Sequence, residues 1–394
     1  MEPNTSKEHY MIINDDISRK LLAENTNPPR IGKERTGGDV LSVVDVVLSV
    51  FVVTPLVVSC WRGLWILVDM HSEYFPAVPT FLIAIAMHIL FALFQNSFHY
   101  LVVESKKHWS MKIVTHLLRR FYTYVFLWVT VLHWRGGWLL TEYYTNLRFT
   151  KELKATKETS LICLLVGAAT FLILLCMRCL RNAIAPPFAL CLDKRNYVFR
   201  FPTMFSPNIK FGWLRVLDCV ISVGVVGNLV VVLWRAIWVA VDLVVIPQNF
   251  TCSAWACLVL GLIATGLVFR LQNCMKRVCT DLSGIIKVIL ADAYILLSII
   301  AAILFWSGIW NLLNIYFLPG DLLLSCTLSH LISLAFLYLI GCSNSLLVRG
   351  VMQDGSGEEG ECVVFPCNYL RTIFEQERTA CLGQLGLTEE NSAS

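Results

Sequence analysis

The sequence predicts an all-α membrane protein with about eight transmembrane helices in two parallel four-helix repeats. Hydrophobic residues make up 56% of the 394 residues and charged residues 15%, whereas soluble domains have roughly 45–50% and 25%. Several apolar runs reach the roughly 20 residues that a helix needs to cross a bilayer. A tryptophan pattern also recurs at regular spacing along the chain, which indicates internal duplication.

Eight runs that are nearly free of charged side chains are the candidate transmembrane helices. They cover residues 40–68, 78–101, 121–141, 159–177, 216–246, 251–269, 288–318 and 322–348. The chain is therefore predicted to consist of a disordered cytosolic tail at 1–38, a first four-helix half at 39–177, a basic cytosolic linker at 178–215, a second four-helix half at 216–348 and a cytosolic tail at 349–394. The lipid bilayer is the first predicted partner.

Basic residues alternate between the loops and predict the orientation. They are concentrated between spans two and three, four and five, and six and seven. Because Lys and Arg beside spans mark the cytosolic side, both termini of this multi-pass plasma-membrane protein are predicted to be cytosolic. Asn249-Phe250-Thr251 lies in an opposite loop and matches the acceptor pattern for N-glycosylation outside the cytosol. The second outer loop, at 142–158, is an exception because it is also basic.

The odd-numbered spans end in a signature with two tryptophans four residues apart. The four copies are Trp61-Arg62-Gly63-Leu64-Trp65, Trp134-Arg135-Gly136-Gly137-Trp138, Trp234-Arg235-Ala236-Ile237-Trp238 and Trp306-Ser307-Gly308-Ile309-Trp310. Eight residues after the first tryptophan of each copy lie Asp69, Glu142, Asp242 and Asn314. Copies within a half lie 73 or 72 residues apart, and corresponding copies in the two halves lie 173 or 172 apart. An even number of spans per half makes the repeats parallel.

The signature has three interpretations. Its tryptophans fit an aromatic belt at the headgroup level, its small third residues fit close helix packing, and its arginines in apolar runs fit a substrate or ion site. An arginine there needs a partner, yet Arg62 and Asp69 are separated by roughly 10 Å along one helix. We therefore expect each arginine to pair with the acid of another helix hairpin, and we favour packing as the main role.

The carboxyl-terminal tail is predicted to mediate interaction. The acidic stretch at 354–361 is interpreted as a flexible linker. Leu370, Ile373 and Phe374 follow it and predict a short amphipathic helix on the membrane or on a partner.

Motifs for catalysis are missing from the sequence. It contains no G-x-S-x-G, no phosphate-binding glycine loop and no H-E-x-x-H, so the usual hydrolase, nucleotide-driven pump and metalloprotease classes lack their minimum parts. The net charge of +4 is located in loops and does not predict a nucleic-acid partner. We expect no enzyme activity, no cofactor and no metal.

Eight spans with cytosolic ends, together with tryptophan pairs such as Trp61 and Trp65 or Trp234 and Trp238, resemble the fuseless family of eight-pass insect proteins of presynaptic terminals. The resemblance covers about residues 40–348. It implies presynaptic organisation, placement of calcium channels and a role in synaptic transmission, with presynaptic calcium channels or other membrane proteins as partners.

Two alternatives to such an organiser remain. The first is a transporter or channel for a small solute or ion, and the second is an intramembrane enzyme. A transporter would use broken helices and polar residues near the midplane, whereas the signature lies near the outer ends of the spans. We therefore rank the organiser first.

Overall fold

The computed structural model describes residues 37–105, 109–145, 157–193, 199–205, 212–355 and 360–374. Every regular element in these ranges is helical, which confirms the predicted all-α class. The described residues from Val44 onward belong to one compact unit, and of the residues before it the structure describes only 37–43, the start of the first helix. The predicted tail at 1–38 lies outside the described residues except for its last two, which belong to that helix.

The helices that build the membrane domain follow the predicted runs, and most are longer than predicted, whereas the last predicted run, 322–348, is helical only to Leu339 and ends in a 3-10 turn. They are α1 (Gly37–Leu48), α2 (Thr54–Met70), α3 (Ala77–Ser105), α4 (Trp109–Tyr144), α5 (Lys157–Cys176), α6 (Trp213–Val220), α7 (Asn228–Val244), α8 (Phe250–Asp281), α9 (Gly284–Tyr316) and α10 (Leu322–Leu339). Short π-helical segments, Ser49–Val53 and Ile221–Gly227, join α1 to α2 and α6 to α7. Each of these two pairs is therefore one continuous helix.

Six helices in the described part of the chain are long and apolar enough to cross a bilayer. They are Val40–Met70, Ala77–Leu101, Trp213–Val244, Phe250–Asp281, Gly284–Tyr316 and Leu322–Leu339. The apolar part of α5, Ser160–Cys176, is shorter. Polar residues such as His116, Arg119 and Arg135 interrupt α4. By length and composition, six of the eight predicted spans are thus supported.

The signature helices α2, α4, α7 and α9 are inner helices, and each packs most extensively against one outer helix. The pairs are α10 with α2, α3 with α4, α5 with α7, and α8 with α9. The sequence predicts that each half is a pair of helix hairpins, spans one with two and three with four in the first half and five with six and seven with eight in the second. The most extensive contacts instead join span two with three, four with five, six with seven and eight with one, so this detail is wrong. The last of these ten helices, α10, packs on the first inner helix, α2, so the four pairs form a closed ring.

Two short 3-10 turns, Leu180–Ala183 after α5 and Ser343–Leu346 after α10, hold the ends of the outer helices in matching ways. The Asp354 carboxylate accepts hydrogen bonds from the first two backbone N–H groups of the first turn, at 2.8 and 3.2 Å. Asp193 accepts from the first two N–H groups of the second turn, at 3.1 and 2.8 Å. A tail carboxylate therefore satisfies buried donors of the linker, and a linker carboxylate satisfies buried donors of the turn after α10.

The predicted flexible acidic linker at 354–361 is folded at both of its described ends, and residues 356–359 lie outside the described residues. Asp354 is 7% exposed, and burial raises the pKa of its carboxyl although the N–H groups of Arg181 and Leu180 oppose the rise. Glu361 pairs with Lys276 at 2.5 Å. The linker prediction is therefore wrong for both residues, because each carboxylate has a partner in the folded unit.

The described end of the tail, at 370–374, is helical, as the sequence predicts. The backbone N–H of Leu370 donates to Asp45 at 2.5 Å. The backbone N–H of Phe205, in the linker, donates to Asp218 at 3.1 Å. Both carboxylates are almost fully buried. Linker and tail thus each reach the start of one long helix.

Candidate functional site

The first tryptophans of the four signature copies meet in a closed ring, called here the lower tetrad. Neighbouring ring centroids lie 5.4–5.8 Å apart with interplanar angles of 76–86°, in the order Trp61, Trp134, Trp234, Trp306 and back to Trp61. All four side chains are buried. Each indole therefore presents its edge to the face of the next, the arrangement that the aromatic quadrupole favours.

The second tryptophans form a similar ring, called the upper tetrad. The order is Trp65, Trp138, Trp238, Trp310 and back to Trp65, with centroids 5.6–6.3 Å apart and angles of 81–87°. A separation of four residues places this ring about 6 Å further along the inner helices. The two tetrads thus stack between the four inner helices, and the upper one is only half-buried.

Backbone carbonyls from the linker and from the turn after α10 anchor the lower tetrad. The Nε1 of Trp61 donates to the Leu346 carbonyl at 3.0 Å, and the Nε1 of Trp234 donates to the Ala183 carbonyl at 2.8 Å. The acceptors belong to the two 3-10 turns described above. The sequence offers no signal for these contacts because they join residues far apart in the chain.

The arginines of the signature pair between neighbouring copies, as the sequence predicts. The contacts are Arg135 with Asp69 at 2.5 Å, Arg235 with Glu142 at 3.9 Å, and Arg62 with Asn314 at 2.7 Å. In every case the arginine of one inner helix reaches the polar residue of the preceding copy around the ring. Arg235 also lies over the ring of Trp138, 5.0 Å from its centroid, which adds a cation–π contact.

The fourth corner of this arrangement is different. Ser307 stands where the other copies have arginine, and Asp242, in the preceding copy, forms no ion pair with any residue that the structure describes. Arg62, 1% exposed, also donates to two hydroxyls, Ser325 at 3.2 Å and Ser329 at 3.5 Å. Its charge is therefore stabilised by hydrogen bonds to neutral groups.

The third signature position is small because an outer helix contacts the inner helix there. A Cβ added at Gly63 would lie 2.5 Å from the Cys326 carbonyl oxygen, and one added at Gly308 would lie 2.4 Å from the Leu258 backbone nitrogen. In the third copy, the Cβ of Ala236 fills the space at Gly167 of α5. The signature thus packs helices closely, as small residues do in membranes.

A small, mainly apolar cavity that also contains histidine side chains lies beside Trp134. Its volume is about 30 Å³, enough for about one water molecule. His88, 6% exposed, lines it and has no hydrogen-bond partner for either ring nitrogen in the described residues. His133 lines it too and lies 3.1 Å from the Asn228 side-chain oxygen. The site could hold a single small polar species.

Asn249 is exposed immediately before α8, and its side-chain oxygen accepts a hydrogen bond from the Cys252 backbone at 3.0 Å.

Within the described ranges, no group of three or more His, Cys, Asp or Glu side chains could hold a metal ion.

Comparison with known proteins gives one family. The family model described as Fuseless matches residues 40–347, which include all four signature copies. No curated protein and no solved structure matches the chain.

Proposed function

This chain belongs to the Fuseless family, and from that premise we propose that it is an eight-span presynaptic membrane protein that organises other membrane proteins, including calcium channels, for synaptic transmission. The synaptic part is supported by the resemblance to eight-pass presynaptic proteins. The observation that carries the organiser role is the pair of tryptophan tetrads. They occupy the axis between the inner helices, where a channel would need an open path.

Helices α4 and α5 are included among the eight spans for a geometric reason. Trp134 and Trp138 of α4 complete the same two tetrads as tryptophans from α2, α7 and α9, which are apolar enough to cross a bilayer. A helix that reaches both tetrads shares their depth in the bilayer. The chain then returns through α5, which packs on α7. Eight spans form two parallel halves and leave both termini on one side.

Glycosylation tests the proposed orientation. Asn249 faces outside the cytosol in this proposal, whereas Asn4-Thr5-Ser6, which also matches the acceptor pattern, belongs to the cytosolic tail. We expect the protein from insect cells to lose mass after endoglycosidase treatment, and Asn249→Gln to abolish that loss. Asn4→Gln is the matched control and should change nothing. A glycan on Asn4 would show that the amino-terminal tail lies outside the cytosol and would contradict the proposed orientation.

A neuronal experiment tests the organiser role. Depletion of the protein from neurons should lower the density of calcium channels at presynaptic sites, because the proposal makes their placement depend on it. Re-expression of the wild-type chain should restore that density. An unchanged density after complete depletion would contradict the proposal.

The transporter alternative is favoured by one observation, the cavity beside Trp134 that His88 and His133 line. It makes a different prediction for purified protein in liposomes. The organiser proposal predicts ion and solute flux no greater than in protein-free liposomes. Flux that Arg235→Ala or His88→Leu abolishes in correctly folded protein would instead support transport.

A further inference from the structure

A pocket of about 340 Å³ opens between α4, α10 and the segments that follow α5 and α10. Three basic side chains of α4 line it, His116, Arg119 and Arg120. Residues three and four apart share one face of a helix, so these side chains project together. Among the described residues that line the pocket, Asp193 is the one with a carboxylate side chain. This site is called the basic pocket below.

Asp193 is already saturated with donors and does not neutralise the whole basic pocket. Its carboxylate accepts from the backbone N–H and hydroxyl of Ser343 and from the backbone N–H and side-chain amide of Asn344. The Arg120 guanidinium pairs with it and lies 4.8 Å from the centroid of the Tyr338 ring. Arg120 and Asp193 therefore compensate each other, and the charge of Arg119 is left in excess.

Arg119 provides the unused hydrogen-bonding capacity. Its Nε is buried and has no acceptor in the described part of the chain. A buried donor without a partner costs free energy, and an oxyanion is the ligand that a guanidinium binds most strongly. His116 is exposed one helical turn before Arg120. The basic pocket is thus suited to a phosphate group.

The surroundings of the basic pocket favour a lipid as the source of that phosphate. Leu339 lines it and is 80% exposed. Leu117 and Phe121, each one residue after a basic lining residue, are 61% and 66% exposed. Such apolar surface next to a basic site matches a molecule with acyl chains better than a free anion, and basic pockets between helices at the cytosolic face bind anionic headgroups.

We propose that the basic pocket binds the phosphorylated headgroup of an anionic phospholipid in the cytosolic leaflet, with Arg119 and His116 on the phosphate and Leu339 against an acyl chain. The choice of leaflet rests on the proposed orientation. The binding itself is independent of any synaptic role, because it is measured on purified protein. The glycosylation experiment tests the orientation separately.

The test titrates purified full-length protein in detergent with a short-chain phosphatidylinositol bisphosphate and measures the dissociation constant by microscale thermophoresis. Short-chain phosphatidylcholine is the neutral lipid control, and soluble inositol trisphosphate tests a free phosphate. We expect saturable binding of the anionic lipid and none of phosphatidylcholine. Arg119→Gln should raise the dissociation constant about fivefold, the effect of one basic residue near an anionic surface.

Arg277→Gln is the matched control, because Arg277 is exposed at the corresponding end of α8, and it should bind like the wild type. Leu339→Ser should weaken binding of the lipid but not of inositol trisphosphate. His116→Gln, at an exposed position, replaces Arg119→Gln if that variant does not fold. Equal binding of neutral and anionic lipid, or wild-type affinity in both basic variants, would overturn the proposal. Equally tight binding of inositol trisphosphate would overturn the assignment to a lipid.

Discussion

Trp306→Ala should lower the free energy of unfolding by about 3–5 kcal/mol, the range for aromatic truncation in a packed core. Trp306 is 6% exposed and contacts Trp61 and Trp234 with ring centroids 5.8 and 5.4 Å away. In a bilayer, lipid replaces water as the alternative environment, so van der Waals contact rather than hydrophobic transfer provides the stabilisation. Removing the indole leaves a cavity and breaks the ring at two places.

The measurement is denaturant-induced unfolding in mixed micelles. Trp213→Ala is the control, because Trp213 is 73% exposed, and it should shift stability by less than about 0.5 kcal/mol. Trp306→Phe keeps an aromatic ring but loses the donor to the Pro186 carbonyl, now at 2.8 Å, and should cost about 1–3 kcal/mol. Equal stability of the Trp306→Ala and Trp213→Ala proteins would show that the lower tetrad is not a stabilising core.

Gly308→Ala should destabilise the protein although it adds only one methyl group. The new Cβ would lie 2.4 Å from the backbone nitrogen and 2.6 Å from the Cα of Leu258. These are backbone atoms of α8 and cannot rotate away, so the two helices must separate. We expect a loss of about 1–3 kcal/mol, the usual cost of overpacking, in the same unfolding assay.

Gly266→Ala is the matched control for this substitution. Gly266 lies in the middle of α8, where an added Cβ would meet no atom within 4 Å. Alanine there should leave stability unchanged or raise it by about 0.5–1 kcal/mol, because glycine is a poor helix former. If both glycine variants lose the same stability, close contact between α8 and α9 is not the reason for a glycine at 308.

The repeated signature explains why much of the site could be predicted. The equal spacing of the copies predicted that the tryptophans lie at one end of alternate helices. Arg62 and Asp69 are seven residues apart on one helix, too far for a direct pair, so the partner of each arginine was expected on another helix. The observed pair of Arg135 with Asp69 follows that logic. The closed order of the tetrads did not follow, because a one-dimensional pattern does not specify which neighbours touch.

The contacts of the linker and the tail could not be predicted for a physical reason. Asp354 lies in a stretch rich in glycine and glutamate, a composition typical of flexible linkers. Its carboxylate binds backbone N–H groups, which every residue type except proline carries, so the sequence does not mark the donors. The basic pocket was missed because Arg119 and Arg120 also belong to the loop charge that reports orientation. Only folding shows that they share a cavity.

The carboxylate that satisfies the turn after α5 is synthesised 174 residues after that turn. When the ribosome has translated α5 and the turn after it, the Asp354 carboxylate that accepts hydrogen bonds from this turn has therefore not yet been synthesised. The backbone donors of the turn remain without this partner until Asp354 is translated. A premature stop codon before Asp354 would leave the helices up to α5 incompletely assembled even though each of them had been translated in full.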